Sequence, residues 1–417
     1  MIFRFSLYGF LKNLRFFEAF LVLALRQRGF DFLSIGTLIA IREITTHVLE
    51  IPSGAAADAW GRRLCMVGSM AAYVICFLLL GAGSTFAAMA VAMVFYGLGD
   101  AFRSGTHKAM IYAWLREQGR EKEKTRIYGY TRSWSQKGSA LSALVAALLV
   151  GWSGTYASVF YWSALPSFLN LINLATYPAS LDAGCHGFRK GIFRAAWTTL
   201  ADSFREFRRH APLRRLVAES VAMEGGYSVI KNYLQPVLQT AALTLPVWQG
   251  TSDVRRTALV TGVVYALVFF GSSIASRRAH QWESWSGGSE PATRRILWIT
   301  WLLMAVLAVF LLGGMPWLSA AIFVLLGLFQ NLWRPIQIAR FDDASSEGVG
   351  ATVLSVEAQA QSVAAALWAP LLGALIDSSA HSEGTAAIPT PALWPVCLIA
   401  IPVLLAWGLR VRSNKAA

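Results

Sequence analysis

Gly54-Ala55-Ala56-Ala57-Asp58-Ala59-Trp60-Gly61-Arg62-Arg63 forms a short polar stop between two long apolar runs, 31–57 before it and 64–84 after it. At 1.5 Å of rise per residue, about 20 residues of helix cross a hydrocarbon core about 30 Å thick, and both runs reach that length. The stop supplies what a return through the interface needs. Gly54 has no side chain, so a neighbouring helix can approach it. Asp58 can pair with a cation or cap a helix N-terminus. Gly61 permits a tight turn. Arg62 and Arg63 can anchor to lipid headgroups or pair with acids at the membrane face.

The pattern extends outward from this stop. The chain has 417 residues, of which 55% are hydrophobic and only 14% charged, against roughly 25% charged in a soluble domain. That composition excludes a disordered chain, a collagen-like chain and a small disulfide scaffold. Twelve windows are long and apolar enough to be read as spans: 7–27, 31–57, 64–84, 86–113, 127–150, 156–178, 214–240, 257–277, 295–313, 316–339, 350–376 and 391–409. The first window has no small-residue cleavage pattern and is read as a retained span. The four cysteines show no C-x-x-C spacing and the six histidines no H-E-x-x-H, so no metal site and no cofactor is expected.

The distribution of basic residues tests the count. With the N-terminus placed in the cytoplasm, 24 of the 37 Lys and Arg fall in inside segments, 4 in outside segments and 9 within spans. An error of one span would put later loops on the wrong side and erase that bias. The net charge of +14 is therefore read as a topology signal, not as a nucleic-acid surface. Both termini are expected inside, in a cytoplasmic (inner or plasma) membrane. Residues 179–213 form the longest inside connection. Within it Ile192, Phe193, Ala196, Trp197, Leu200, Phe204 and Phe207 recur at helical spacing opposite Arg194, Arg205, Arg208 and Arg209, which predicts an amphipathic helix on the inner leaflet. The expected organisation is a six-helix bundle over 1–178, a linker over 179–213 and a second six-helix bundle over 214–417. A layout of two six-helix halves is that of many secondary transporters.

The stop itself resembles the loop 2–3 signature of the major facilitator superfamily, G-x-x-x-D-x-x-G-R-[KR], and it falls between spans 2 and 3 as in that family. Ser104-Gly105-Thr106-His107-Lys108-Ala109, Arg334-Pro335 and Ala351-Thr352-Val353-Leu354-Ser355 look like weaker family features. The resemblance implies an all-α membrane protein of twelve transmembrane helices in two six-helix bundles. It implies secondary active transport of a small solute by alternating access, with protons as a candidate coupling ion. It gives Gly54, Asp58, Gly61, Arg62 and Arg63 the role of a latch that stabilises the outward-facing state. The sequence departs from the family at Ala59, where an Arg often follows the Asp. The equivalent segment of the second half, Gly271 to Arg278, lacks the acid. Residues Gly138–Gly151 contain no Pro, unlike span 5 of the drug/proton antiporters, which weakens the reading as a drug exporter of that type. A transporter-like sensor or scaffold without flux is the other alternative. No catalysis is expected, since no nucleophile motif accompanies His107 and Asp100. The partners are a small solute, membrane lipids and protons, with no nucleic acid and a monomeric state.

Charge inside a bilayer is costly, and it is usually paired or lines a watery path. Lys12, Arg15 and Glu18 are spaced three apart and predict a shared helix face. Arg42, Glu43, His47 and Glu50 lead down to Gly54, the first two being read as inter-helix pairing. Asp100, Arg103, Ser104 and His107 recur at i, i+3, i+4 and i+7. Arg132, Gln136 and Lys137 fall in span 5, Glu224, Tyr227 and Lys231 in span 7, Gln330, Arg334 and Gln337 in span 10, and Glu357 and Gln361 in span 11. The expected pathway residues are Arg15, Glu18, Asp100, Arg103, His107, Glu224, Lys231 and Arg334. Of these, Glu18, Asp100, His107 and Glu224 are the candidates for a coupling proton. The nine cations within spans face seven acids, a slight excess that suits an anionic or zwitterionic solute, with Arg334 and Lys231 as its partners. Phe95, Tyr96, Tyr227 and Trp333 are candidates for an apolar lining.

Overall fold

A computed structural model describes residues 1–104, 106–120, 123–178, 181, 211–246, 250–344, 350–380 and 388–413. The predicted amphipathic helix of 179–213 lies outside the described residues. The described chain is helical, with no strand. In order the helices are α1 (Ile2–Lys12), α2 (Leu21–Gln27), α3 (Phe32–Trp60), α4 (Arg62–Ala82), α5 (Phe86–Arg103), α6 (Thr106–Glu117), α7 (Lys124–Ser153) and α8 (Ser158–Ala175). There follow α9 (Ala211–Ser220), a π-helical turn (Val221–Gly225), α10 (Gly226–Ile230), a 3-10 turn (Lys231–Tyr233) and α11 (Leu234–Thr244). The remainder comprises α12 (Asp253–Arg277), α13 (Ala279–Ser286), α14 (Ser289–Leu312), α15 (Pro316–Ala344), α16 (Gly350–Ala380), a 3-10 segment (Thr390–Ile399) and α17 (Ala400–Ser413).

Among the described residues, seven helical segments are long and apolar enough to cross a membrane. They begin at Phe32, Arg62, Phe86, Asp253, Ser289, Pro316 and Val356. Three of the other five windows fall short for visible reasons. Window 7–27 is cut between α1 and α2, window 214–240 is divided by the π and 3-10 turns, and window 127–150 carries Arg132 and Lys137.

The chain divides into two compact units: residues 1–24 with 41–199, and residues 25–40 with 200–417. In the first unit α4 packs on α5 and α8, and α1 on α7 and α8. Small residues allow these approaches. A Cβ on Gly97 would be driven into the Arg42 carbonyl and Thr45, and one on Gly138 into the Phe10 carbonyl. Phe17, Tyr73, Phe77 and Tyr96 form an aromatic core, with ring centroids 5.1 Å apart for Phe17–Phe77 and 5.3 Å for Tyr73–Tyr96. In the second unit α14 packs on α15, on the 3-10 segment and on α17. The fully buried Trp333 lies at the centre of that core, with Ile296, Leu297 and Val403.

The first nine residues of α3 belong to the second unit. The backbone N–H groups of Phe32 and Leu33 donate to the Asp377 carboxylate of α16, at 3.0 and 2.7 Å. These are two of the four N–H groups that a helix start leaves unpaired. Asp31 accepts from the Ser34 N–H at 2.8 Å and completes the cap. Hydrogen bonding from Ser34 holds the exposed Asp31 carboxyl below the usual carboxylate range. Asp31 therefore adds its small stability above the ordinary carboxylate pKa and loses it as the pH falls through its own lowered value. Asp377→Ala is expected to lower stability by about 1–2 kcal/mol, the scale of a lost N-cap with charge-assisted bonds. Asp377→Asn should lose less, because one acceptor oxygen remains. Thermal unfolding of the purified protein in detergent reads both.

Candidate functional site

In the first unit the charged residues converge on Asp100, near the end of α5. Arg103, one turn on, pairs with its carboxylate, and the Tyr73 hydroxyl of α4 donates to it. Arg103 Nε also donates to the Tyr73 oxygen at 3.2 Å. Arg15 approaches the same carboxylate at 3.9 Å. One acid thus serves two guanidinium groups. The helical face predicted for Lys12, Arg15 and Glu18 does not exist. Helix α1 ends at Lys12, and 13–20 form turns before α2. Arg15 reaches Asp100 because its backbone has left the helix. Irregular backbone of this kind at membrane depth is tolerated where it is buried in protein or lines a cavity.

The stripe from Asp100 to His107 is also interrupted. Helix α5 closes at Arg103 with Ser104 in extended backbone, and His107 lies on α6. The His107 ring stacks on Tyr8 with centroids 3.9 Å apart. A pocket of about 430 Å³ opens between α1, α5–α6 and α7, and its lining includes Lys12, Arg103, His107 and Arg132. Arg42 and Glu43, expected to pair between helices, combine a pair on one helix with a contact to α5. They are adjacent and pair with each other at 2.6 Å on α3, with Arg42 over the Tyr96 ring at 5.4 Å. His47 follows, 3.3 Å from Glu50, whose carboxylate accepts from the Ser104 hydroxyl at 3.2 Å.

In the second unit Glu224 lies within the π-helical turn and Lys231 opens the 3-10 turn. A π turn widens the helix locally and is frequent at functional sites. The Gln330 amide of α15 donates to Glu224 at 2.5 Å. Arg334 is not poised for a solute anion as expected. Both its terminal nitrogens reach the fully buried Glu357 carboxylate of α16, to which Gln361 adds a bond at 2.9 Å. Trp333 is fully buried in packing, while Tyr96, also buried, lines a small cavity with Lys12, Arg15 and Tyr73. A second charge cluster joins three helices. Arg340 of α15, 4% exposed, pairs with the fully buried Glu219 of α9 and with Glu290 of α14 at 2.8 Å. Arg215 reaches Glu219 at 3.5 Å and Glu290 at 2.7 Å.

At the stop between α3 and α4, Gly61 has φ of +107°, a conformation that disfavours any other residue. Arg63 donates to the Tyr177 carbonyl at 2.9 Å, while Tyr177 and Asn173 donate to the Arg4 carbonyl. The starts of α1 and α4 and the end of α8 are thereby tied together. A Cβ on Gly54 would meet no described atom within 4 Å, so the close helix approach expected there is not present. The Asp58 side chain lies outside the described residues.

Sequence reasoning missed Tyr73 as the partner of Asp100, and Asp377 as a cap. Neither stands out along the chain, since each acts on a residue many positions away. It noted Lys12 and Arg132 but did not place them together.

The profile of the Major Facilitator Superfamily matches residues 6–369. An uncharacterized MFS-type transporter of Bacillus subtilis (strain 168) is 24% identical over 135 residues. That stretch is 32% of this chain and 31% of the relative, so the match spans about a third of each. Among solved structures, the nucleoside transporter NupG aligns with a TM-score of 0.75 at 15% identity, over 98% of both chains. A bacterial homologue of the human lysosomal transporter Spinster aligns with a TM-score of 0.70 at 15% identity, over 99% of this chain and 96% of the other. A D-xylose-proton symporter gives 0.66 at 14% identity, over 98% and 95%. At these identities the solved structures show the fold alone. The family profile, which spans most of the chain, establishes that it belongs to the Major Facilitator Superfamily, and the all-helical architecture with its long apolar helices fits that membership.

Proposed function

We propose that the protein is a secondary active transporter that moves a small solute by alternating access of two six-helix bundles, 1–178 and 214–417, twelve spans in all. The linker 179–213 and both termini lie in the cytoplasm, the membrane is the cytoplasmic one, and the working unit is a monomer in contact with lipid. The observation that carries this reading is the paired interruption of the first span of each half. Residues 13–20 break the first, and 221–225 with 231–233 break the seventh. Interrupted segments at corresponding positions of two repeats are a strong pointer to a solute site near the bilayer midplane. Each break carries ionisable groups, Arg15 and Glu18 in one, Glu224 and Lys231 in the other. Gly54, Asp58, Gly61, Arg62 and Arg63 act as the latch of the outward-facing state in this reading. Glu18, Asp100 and His107 stay on the pathway with Arg103.

The coupling ion in this reading is the proton, and Glu224 is the best-placed carrier. Asp100 is already engaged by Arg103, with Arg15 close by. Glu224 instead meets the neutral amide of Gln330, and no described cation pairs with it. Ionisable groups inside a span without a paired opposite charge commonly mark ion or proton pathways. Uptake into liposomes is expected to rise when a pH gradient is imposed. Glu224→Gln should cut that gradient-driven uptake by about tenfold or more while leaving solute counterflow in place. Wild-type flux that ignores the gradient would remove proton coupling.

A further inference from the structure

The pocket between α1, α5–α6 and α7 has an unusual charge balance. Four of its lining side chains are cationic and none is a carboxylate. The guanidinium of Arg103 is already engaged by Asp100. Lys12, half-buried at the last residue of α1, forms no ion pair or hydrogen bond with a described residue. Arg132, exposed on the facing side of α7, forms none either. Lys and Arg carry donors only, and Gln136 and Ser139 bring further donors to the same wall. His107 Nε2 is buried with no hydrogen-bond partner among the described atoms. Uncompensated charge within a membrane protein is costly, and this lining lacks an acceptor with negative charge.

We propose that this pocket is a binding site for a small soluble organic anion, whose carboxylate or phosphate group is held by Lys12 and Arg132 beside His107. A cation is repelled by the lining, and a neutral solute leaves the half-buried Lys12 without a counter-charge. The volume of about 430 Å³ suits a metabolite-sized ligand, within the usual range for small-molecule sites. The walls are fixed before the ligand arrives. Gly9 and Gly138 let α1 and α7 meet at backbone distance, and Asn13 donates to the Ser135 carbonyl at 2.8 Å across the same seam. The site deepens the transport reading and rests on it only for the claim that the anion is moved. Binding is measured without flux, so a failure of one is distinguishable from a failure of the other.

The test is ligand-dependent thermal stability of the purified chain in a neutral detergent. The probes are inorganic phosphate, succinate and benzoate, with benzamide as the uncharged control and short-chain phosphatidylglycerol as the lipid arm. At least one soluble anion is expected to raise the melting temperature in a saturable way, and benzamide is not. Lys12→Gln and Arg132→Gln should each weaken that apparent affinity about tenfold or more, the scale of one charge-assisted hydrogen bond. Lys12→Arg should retain most of it, which guards against a folding defect. Arg255→Gln, on an exposed part of α12, should leave the affinity unchanged. The proposal is overturned if no soluble anion stabilises the wild type, or if both glutamine variants bind as the wild type does. Stabilisation by phosphatidylglycerol alone would overturn it too, assigning the pocket to a lipid headgroup.

Discussion

Arg340→Met is expected to destabilise the protein by about 3 kcal/mol, because it strips a fully buried carboxylate of its main partner. Glu219 is fully buried and Arg340 only 4% exposed, and together with Glu290 they tie α9, α14 and α15. Arg215 stays within 3.5 Å of Glu219 and softens the loss. Glu219→Leu removes the buried partner of Arg340, which keeps Glu290 at 2.8 Å, and should cost less, about 2 kcal/mol. Removing both charges together should cost much less than the two single changes added, since a buried ion pair is often replaceable by packed apolar groups. The measurement is a double-mutant cycle on thermal stability. Additive single effects, or effects below about 1 kcal/mol, would show that the cluster is incidental.

Gly36→Val and Gly373→Val should each disrupt the seam between the start of α3 and α16. A Cβ on Gly36 would be driven into the Ala369 carbonyl, and one on Gly373 into the Phe32 carbonyl. Neither obstacle is a flexible side-chain end, so the helices must separate. Overpacking of this kind costs about 1–3 kcal/mol. In the proposed transport cycle this seam lies at the outer end of the spans and opens in the outward-facing state. Raising the energy of the closed seam by about 2 kcal/mol shifts the populations roughly thirty-fold. Ala369→Cys, fully buried at this seam, reports the shift in a chain lacking its native cysteines. Its reaction with an impermeant maleimide added outside should accelerate by about that factor in the Gly373→Val background. Loss of stability with unchanged labelling would mean that the seam does not open.

Much of the architecture is legible from hydropathy, because twenty apolar residues between polar stops have few folds open to them. Seven of the twelve windows read from the sequence hold helices long and apolar enough to cross a membrane. The turn at Gly61 is legible too, since a glycine before two arginines has a backbone reason. The breaks are not. Residues 13–20 contain neither Gly nor Pro, so nothing local marks the end of α1. The π turn at Val221–Gly225 lies against α16 and α17, distant in sequence. Partner choice is equally hidden. Arg334 finds Glu357 on the next helix, Arg340 finds Glu219 across 121 positions, and Asp100 gathers Tyr73 and Arg15 from two other parts of the chain. Spacing says which residues share a helix face. It does not say which face meets which. From spacing alone Arg334 therefore looks free to bind solute, and nothing along the chain brings Lys12 and Arg132, far apart in sequence, to one pocket.

The central claim is solute movement, and the most direct measurement is counterflow in liposomes. A solute that raises the thermal stability of the purified protein is loaded inside at high concentration, and uptake of its labelled form from outside is followed. The account predicts a transient accumulation well above equilibrium, saturable in the external solute and absent from empty liposomes. Saturable binding of that solute with no accumulation would contradict it, and would make the protein a sensor with a transporter's fold.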